Sequence, residues 1–235
     1  MNASSASKLF HALHYASIGW PVLPLHYILE DGSCSCAGRT ANCKPGKHPY
    51  GKLVPNGLKN ASLDAEEIRS WFTDQPFNIG VATGSRSGIF VLDCDDKHDG
   101  QEQLKNLVPS DEPISTLSQL TGAGKHYIYR LPAGGRVSNS TGRIGRGLDI
   151  RGEDGYIVAP PSTHVSGNRY RWEDGELPAR ERVSHSPFWL LDAIGYSCNL
   201  PTRRAESPQE MNLSAEKYRP PMDVHDGEGR ESTIL

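Results

Sequence analysis

Apolar positions in this chain come in short runs broken by proline, glycine and charge. The densest run is Ile89-Phe90-Val91-Leu92, set between Gly88 and the triplet Asp93-Cys94-Asp95. Bulky β-branched and aromatic residues in unbroken succession predict a buried strand. Residues two apart leave the same face of a strand, so Asp93 and Asp95 emerge side by side at its end. Upstream, Leu9, Phe10, Leu13 and Ala16 recur at helical spacing, and Gly19 stops a helix over residues 7–17. Residues 20–25 read as a short strand, and Pro21 and Pro24 place it at a sheet edge or mark its ends. Ile68, Trp71 and Phe72 mark one face of a helix that Ser62 or Asp64 caps, with Glu66 and Glu67 in its first turn and Pro76 beyond its end.

The remaining pattern alternates in the same way. Residues 77–84 predict a strand running into a glycine turn, and 101–107 a helix that stops before Pro109. Residues 116–120 and 126–129 predict two strands joined by the turn Thr121-Gly122-Ala123-Gly124-Lys125, whose glycines permit a close approach of backbone to a ligand. Strands follow at 148–151, 156–159 and 170–172, and a closing helix at 186–194. Interleaved short helices and strands predict an α/β (α+β) fold. From residue 199 the chain is polar, with prolines, glycines and mixed charge, and reads as a tail or linker.

Composition narrows the classes. A length of 235 residues allows one large domain or two small ones. Seventeen prolines and 24 glycines agree with many turns between short elements. The chain has no apolar run of about 18 residues to span a membrane, and its start, MNASSASKLF, lacks the apolar stretch of a secretory signal. The expectation is an intracellular, cytoplasmic protein. A net charge of −3 is less basic than expected of a protein that coats nucleic acid. Any such contact has to come from a local patch and be weak and salt-sensitive.

Four groups of residues carry candidate chemistry. Asp93 and Asp95 repel unless a cation sits between them or they share a proton, and Mg²⁺ or Mn²⁺ suits oxygen ligands. Cys34, Cys36 and Cys43 lie within ten residues and, with His48, give the spacing C-x-C-x6-C-x4-H. In a reducing compartment this suggests zinc rather than a disulfide; alternatively, Lys47 and His48 point towards an active site. His126 opens its strand at a sheet edge, on the side where Asp93 and Asp95 are expected. Asp149, between Leu148 and Ile150, shares a strand face with Arg151, and a basic, glycine-rich loop over 134–147 carries Arg136, Arg143 and Arg146.

The segments HYASIGWPVLPL (14–25), GKHP (46–49), NIGVATG (78–84), VLDCD (91–95), GAGKHYIY (122–129) and GLDIRGEDGYIVAPPS (147–162), in this order, resemble the bifunctional primase-polymerase domain of the archaeo-eukaryotic primase superfamily. It resembles especially the N-terminal domains of phage and plasmid helicase-primase replication proteins, over roughly residues 9–194. The resemblance implies an RRM-like catalytic palm, residues 87–198, packed against an N-terminal α/β unit, residues 1–86, that carries the zinc loop 34–48. It implies that 199–235 leads to a further region. It also implies two divalent metals, Mg²⁺ or Mn²⁺, on Asp93, Asp95 and Asp149, and a structural zinc on Cys34, Cys36, Cys43 and His48. His126 then contacts nucleotide phosphates, with Lys125 and Arg151 beside it, and Ser162 and His164 line the nucleotide pocket. Arg143 and Arg146 contact the template. Where the family often has arginine before the histidine, this chain has Lys125, which keeps the charge and loses the two-pronged geometry.

The implied activity is synthesis and extension of primers on single-stranded DNA from dNTPs or rNTPs. The implied partner is a replicative helicase, in phage, prophage or plasmid replication within a bacterial host. The residues alone leave two other readings: a metal-dependent nuclease that uses water on the same carboxylates, and a non-catalytic nucleic-acid or replisome-binding module. The family reading requires Asp149 to lie beside Asp93 and Asp95.

Overall fold

The structure, a computed structural model, describes residues 3–39 and 43–196. It is a mixed α/β fold built on two sheets. The first has three antiparallel strands in the order β1 (Val22–Leu25), β2 (Asn78–Ala82) and β8 (Tyr156–Ala159). Of the two placements the prolines allowed, a sheet edge or the strand's ends, β1 takes the edge, with Pro24 inside it and all four of its residues buried.

Helices α1 (Ala3–Ser17) and α2 (Ala65–Phe72) share this sheet's core. Leu9, Ala12 and Tyr15 of α1 meet Ile68, Trp71 and Phe72 of α2 and the side chains of β1 and β2. Asp64 is the cap of α2 and accepts from the Glu67 amide at 2.8 Å, while Ser62 Oγ accepts from the Asp64 amide.

The second sheet contains β3 (Ile89–Asp95), β4 (Ser118–Leu120), β5 (Gly124–Arg130), β6 (Ser140–Thr141), β7 (Leu148–Arg151) and β9 (Arg171–Trp172). Their order is β6-β7-β3-β5-β4-β9, every pair antiparallel, and β10 (Ser184–His185) runs parallel to the far end of β5. Period-two alternation gives the sheet two different faces. Phe90, Leu92 and Cys94 of β3, with Tyr127, Tyr129, Leu148 and Ile150, form one apolar layer. Leu104 of α3 (Gly100–Leu107) and Trp189 and Leu190 of α4 (Phe188–Ala193) cover it. Ile89, Val91 and Ile128 point the other way, into the core beneath the small sheet. Further along β3 that same face carries Asp93 and Asp95.

The expected division at residue 86 is not a break in packing. Ile157, Val158 and Ala159 of β8 are all buried, so this strand needs cover on both faces, and it finds its place as the third strand of the N-terminal sheet. The polar tail expected over 199–235 lies outside the described residues.

Asn78 shows how the first sheet is tied to its surroundings. Fully buried, it donates from Nδ2 to the carbonyls of Gly46 (2.9 Å) and Thr163 (2.8 Å). Its Oδ1 accepts from the Thr163 amide at 3.0 Å and from Lys8 Nζ at 3.2 Å. Replacing it by alanine strands buried polar partners, so Asn78→Ala should lower stability by about 3 kcal/mol. Urea unfolding checks this, and a change below about 0.5 kcal/mol would contradict it.

Candidate active site

The antiparallel register assembles the site. Asp93 lies directly opposite His126 of β5 on one side and opposite Asp149 of β7 on the other. The row continues through Gln119 of β4, opposite His126, and Thr141 of β6, opposite Asp149. Directly opposed residues share a face, so Gln119, His126, Asp93, Asp149 and Thr141 project from one side of the sheet. Asp95 follows two residues beyond Asp93. Where the small sheet no longer covers this face, it opens into a cleft of about 580 Å³. Asp93, Asp95, His126, Asp149, Arg146, Arg151, Lys47, Thr121 and Tyr170 are among its walls.

Polar contacts fix the groups at the base of the cleft. The Gln119 amide nitrogen donates to the Val158 carbonyl at 2.8 Å and faces His126 Nδ1 at 2.8 Å. A carbonyl cannot donate, so the amide must present NH₂ to both partners. Nδ1 therefore accepts, and the ring proton sits on Nε2, 3.2 Å from Asp93 Oδ1. One nitrogen of Arg151 bridges two acids, at 3.1 Å from Asp93 Oδ2 and 2.9 Å from Asp149 Oδ2. Asp149 Oδ1 accepts from the Gly142 amide, and Asp95 Oδ1 from the Lys97 amide, each at 2.9 Å. Burial pushes the Asp93 carboxyl up, but His126 and Arg151 outweigh it and hold the group well below the usual carboxylate range.

Five of the residues singled out in the sequence thus meet in one place: Asp93, Asp95, His126, Asp149 and Arg151. Arg146 lies at the rim, exposed and 3.9 Å from Asp99. Others do not meet there. Lys125 neighbours His126 along the strand, so alternation sends it to the opposite face. There it pairs with Glu173 at 2.6 Å and lies over the Tyr127 ring. Ser162 is fully buried and accepts from the Ile79 amide at 2.9 Å, which makes it a brace between segments. His164 is buried behind the cleft wall. Its Nδ1 accepts from the Ser166 amide, and its ring packs so closely on Gly122 that a Cβ there would lie 2.0 Å away. Arg143 is exposed in the loop before β7, near Gly195, and is not among the lining residues.

The glycines of the turn also serve the fold. A Cβ on Gly124 would sit 2.0 Å from the Cys94 carbonyl oxygen, so glycine is what lets β5 pair with β3 at this point. Gln119 was not singled out in the sequence. Its signal was the hairpin itself, since pairing across the 121–124 turn sets it opposite His126.

The cysteine loop forms a second cluster. The ligand atoms of Cys34, Cys36, Cys43 and His48 all lie within 4.8 Å of one another. Nε2 of His48 is 3.5 Å from Cys34 Sγ and 3.6 Å from Cys43 Sγ, and Cys36 and Cys43 sulfurs are 3.4 Å apart. Tetrahedral zinc with ordinary bond lengths has S···N edges of about 3.5 Å and S···S edges of about 3.8 Å. The set can therefore coordinate a metal ion. Without one, the hydrogen bond to Cys36 and the adjoining sulfurs push the Cys43 thiol up to about 12, a penalty that a bound cation removes. Among the described residues no other set of histidine, cysteine and carboxylate ligand atoms converges in this way. The acids of the cleft are spread around Arg151 instead.

The depressed Asp93 carboxyl has a consequence for stability. A group held low in the folded state stabilises it above the unfolded carboxyl pKa of about 3.9, and the contribution fades as pH falls through the folded value. Wild type should therefore lose stability below about pH 4 more steeply than Asp93→Asn. Thermal melts from pH 6 to pH 2 measure this, and parallel acid limbs would contradict it.

Comparison with curated proteins returns no match. A family model does match, over residues 12–189, and this span includes both the cysteine loop and every strand of the carboxylate row. The chain belongs to the family described as bifunctional DNA primase/polymerase, N-terminal.

Proposed function

We propose that this chain is a template-directed nucleotidyltransferase that makes and extends primers on single-stranded DNA from nucleoside triphosphates. The observation that supports it most is the cross-strand row. Asp93, Asp149 and His126 come from three separate segments and stand side by side on an open sheet face, with Asp95 next to them. A passive binding surface would gain nothing from three carboxylates, which repel a phosphate backbone. Family membership carries the broad activity, and the row supplies the residues for it.

On this reading the second sheet is an RRM-like palm, and residues 1–198 are the catalytic domain, with 199–235 leading towards a helicase partner. Magnesium or manganese ions held by Asp93, Asp95 and Asp149 would activate the primer 3′-hydroxyl and stabilise the departing pyrophosphate. The protein's own residues prepare for this. Arg151 offsets the charge of Asp93 and Asp149, and a metal held by those acids would free its guanidinium for phosphate oxygens. His126, kept with its proton on Nε2 by Gln119, offers a single donor to the cleft. Arg146 at the rim lies where a template backbone would pass. Zinc on Cys34, Cys36, Cys43 and His48 would hold together a loop that has little apolar core of its own.

Two measurements test these assignments. On unprimed single-stranded DNA with Mg²⁺ or Mn²⁺ and labelled nucleotides, wild type should yield products that the Asp93→Ala, Asp95→Ala variant fails to make, a loss of about 10³-fold or more. Degradation of the template without nucleotide-dependent growth would point to a nuclease, and DNA binding without either product would point to a binding module. Purified wild type should also carry about one zinc per chain by elemental analysis. Cys43→Ser should lose it along with thermal stability, and equal zinc in both proteins would rule the site out.

A further inference from the structure

The cleft needs positive charge beyond what has been assigned. Arg151 reaches phosphate only once Asp93 and Asp149 release it, Lys125 faces away, and Arg146 stands at the exposed rim by Asp99. Divalent cations among three carboxylates would leave most of a triphosphate's charge unmatched. One further cation lines the cleft: Lys47. It comes from the cysteine-histidine loop, not from the palm, and it forms no ion pair with any described carboxylate. Its chain is exposed at the cleft mouth.

The backbone on both sides of Lys47 is fixed. Gly46 has φ +69°, a left-handed conformation that favours glycine, and a Cβ there would meet Asn78 Nδ2 and Ile28 Cδ1 at 3.0 Å. The Gly46 carbonyl accepts from Asn78 at 2.9 Å, and the Lys47 carbonyl accepts from Tyr156 Oη at 2.9 Å. The next residue, His48, is a member of the metal-ligand set, and its carbonyl accepts from the His26 amide. A metal held by the loop would brace the residue adjoining Lys47, while β2 and β8 hold the other contacts.

We infer that Lys47 grips the triphosphate of the incoming nucleotide and that the cysteine-histidine loop is the arm that holds it over the carboxylates. This deepens the nucleotidyl-transfer reading and rests on it. The lining of the cleft supports the placement, since Lys47 borders it together with Asp93, Asp95 and Arg151. The loop then contributes to binding as well as to folding, since without a metal it would hold less firmly a cleft cation that no described carboxylate has claimed.

Equilibrium binding of a fluorescent deoxynucleoside triphosphate in Mg²⁺, with the matching monophosphate as a competitor, tests this on the full chain. Lys47→Met should weaken triphosphate binding by about 10- to 100-fold, leaving monophosphate binding, metal content and melting temperature unchanged. Lys47→Arg should recover much of the loss, and Lys125→Met, altered on the other face, should bind as wild type does. Cys43→Ser should weaken triphosphate binding in the wild-type background and add little in Lys47→Met, because both changes remove the same contact. Equal triphosphate affinity in wild type and Lys47→Met would overturn the inference and leave the nucleotidyl-transfer reading standing. A wild type that binds no triphosphate would overturn both. A Lys47→Met protein that loses its metal or its fold would also overturn the inference, since an exposed, unpaired ammonium has no such role to lose.

Discussion

Everything in the cleft depends on the register of three strands. Asp93 has His126 on one side and Asp149 on the other because β3 pairs antiparallel with both β5 and β7. A slip of one residue in either pairing would turn a whole strand over, replacing His126 by Lys125 or Asp149 by Leu148. Gly124 helps pin the register, because only glycine allows β5 to pass the Cys94 carbonyl. The apolar layer pins it too. Leu92, Tyr127 and Ile150 can reach the layer beneath α3 and α4 in this alignment only.

That face of β3 has two uses along its length. Ile89 and Val91 are covered by the small sheet and its helices, and two residues later the cover ends and the carboxylates begin. The boundary between core and cleft is therefore set by how far the small sheet reaches. Cross-strand charge balance keeps the uncovered part stable, since Arg151 sits between acids that would otherwise repel each other.

Much of this was legible in the sequence, and the reasons differ by element. β3 declared itself through an unbroken apolar run, and α2 through its apolar triad and the Asp64 cap, since both signals are local. Strand alternation made the pairing of Asp93 with Asp95, and of Asp149 with Arg151, legible without any knowledge of packing, whereas the family resemblance alone implied that these groups meet. The same alternation sends Lys125 away from His126, so its assignment to phosphate ran against a rule the hairpin already supplied. Ser162 and His164 were another matter. Both follow an apolar strand, as pocket residues often do, but their roles depend on Ile79 and Gly122, which the chain brings to them only in the folded state. Nor could residue 86 show that β8 would return to the first sheet. That depends on which edge of β2 is left open.

The return of β8 also sets an order of events during synthesis. Until residues 156–159 have emerged, β2 has β1 on one edge and nothing on the other, so Ile79 and Val81 lie on a strand with a bare row of amides and carbonyls. Such an edge is a template for pairing with another chain. The strands of the carboxylate row, β3, β5 and β7, all leave the ribosome before it is capped. A polypeptide interrupted between Arg151 and Tyr156 would carry the whole carboxylate row and still be prone to associate through its unfinished first sheet.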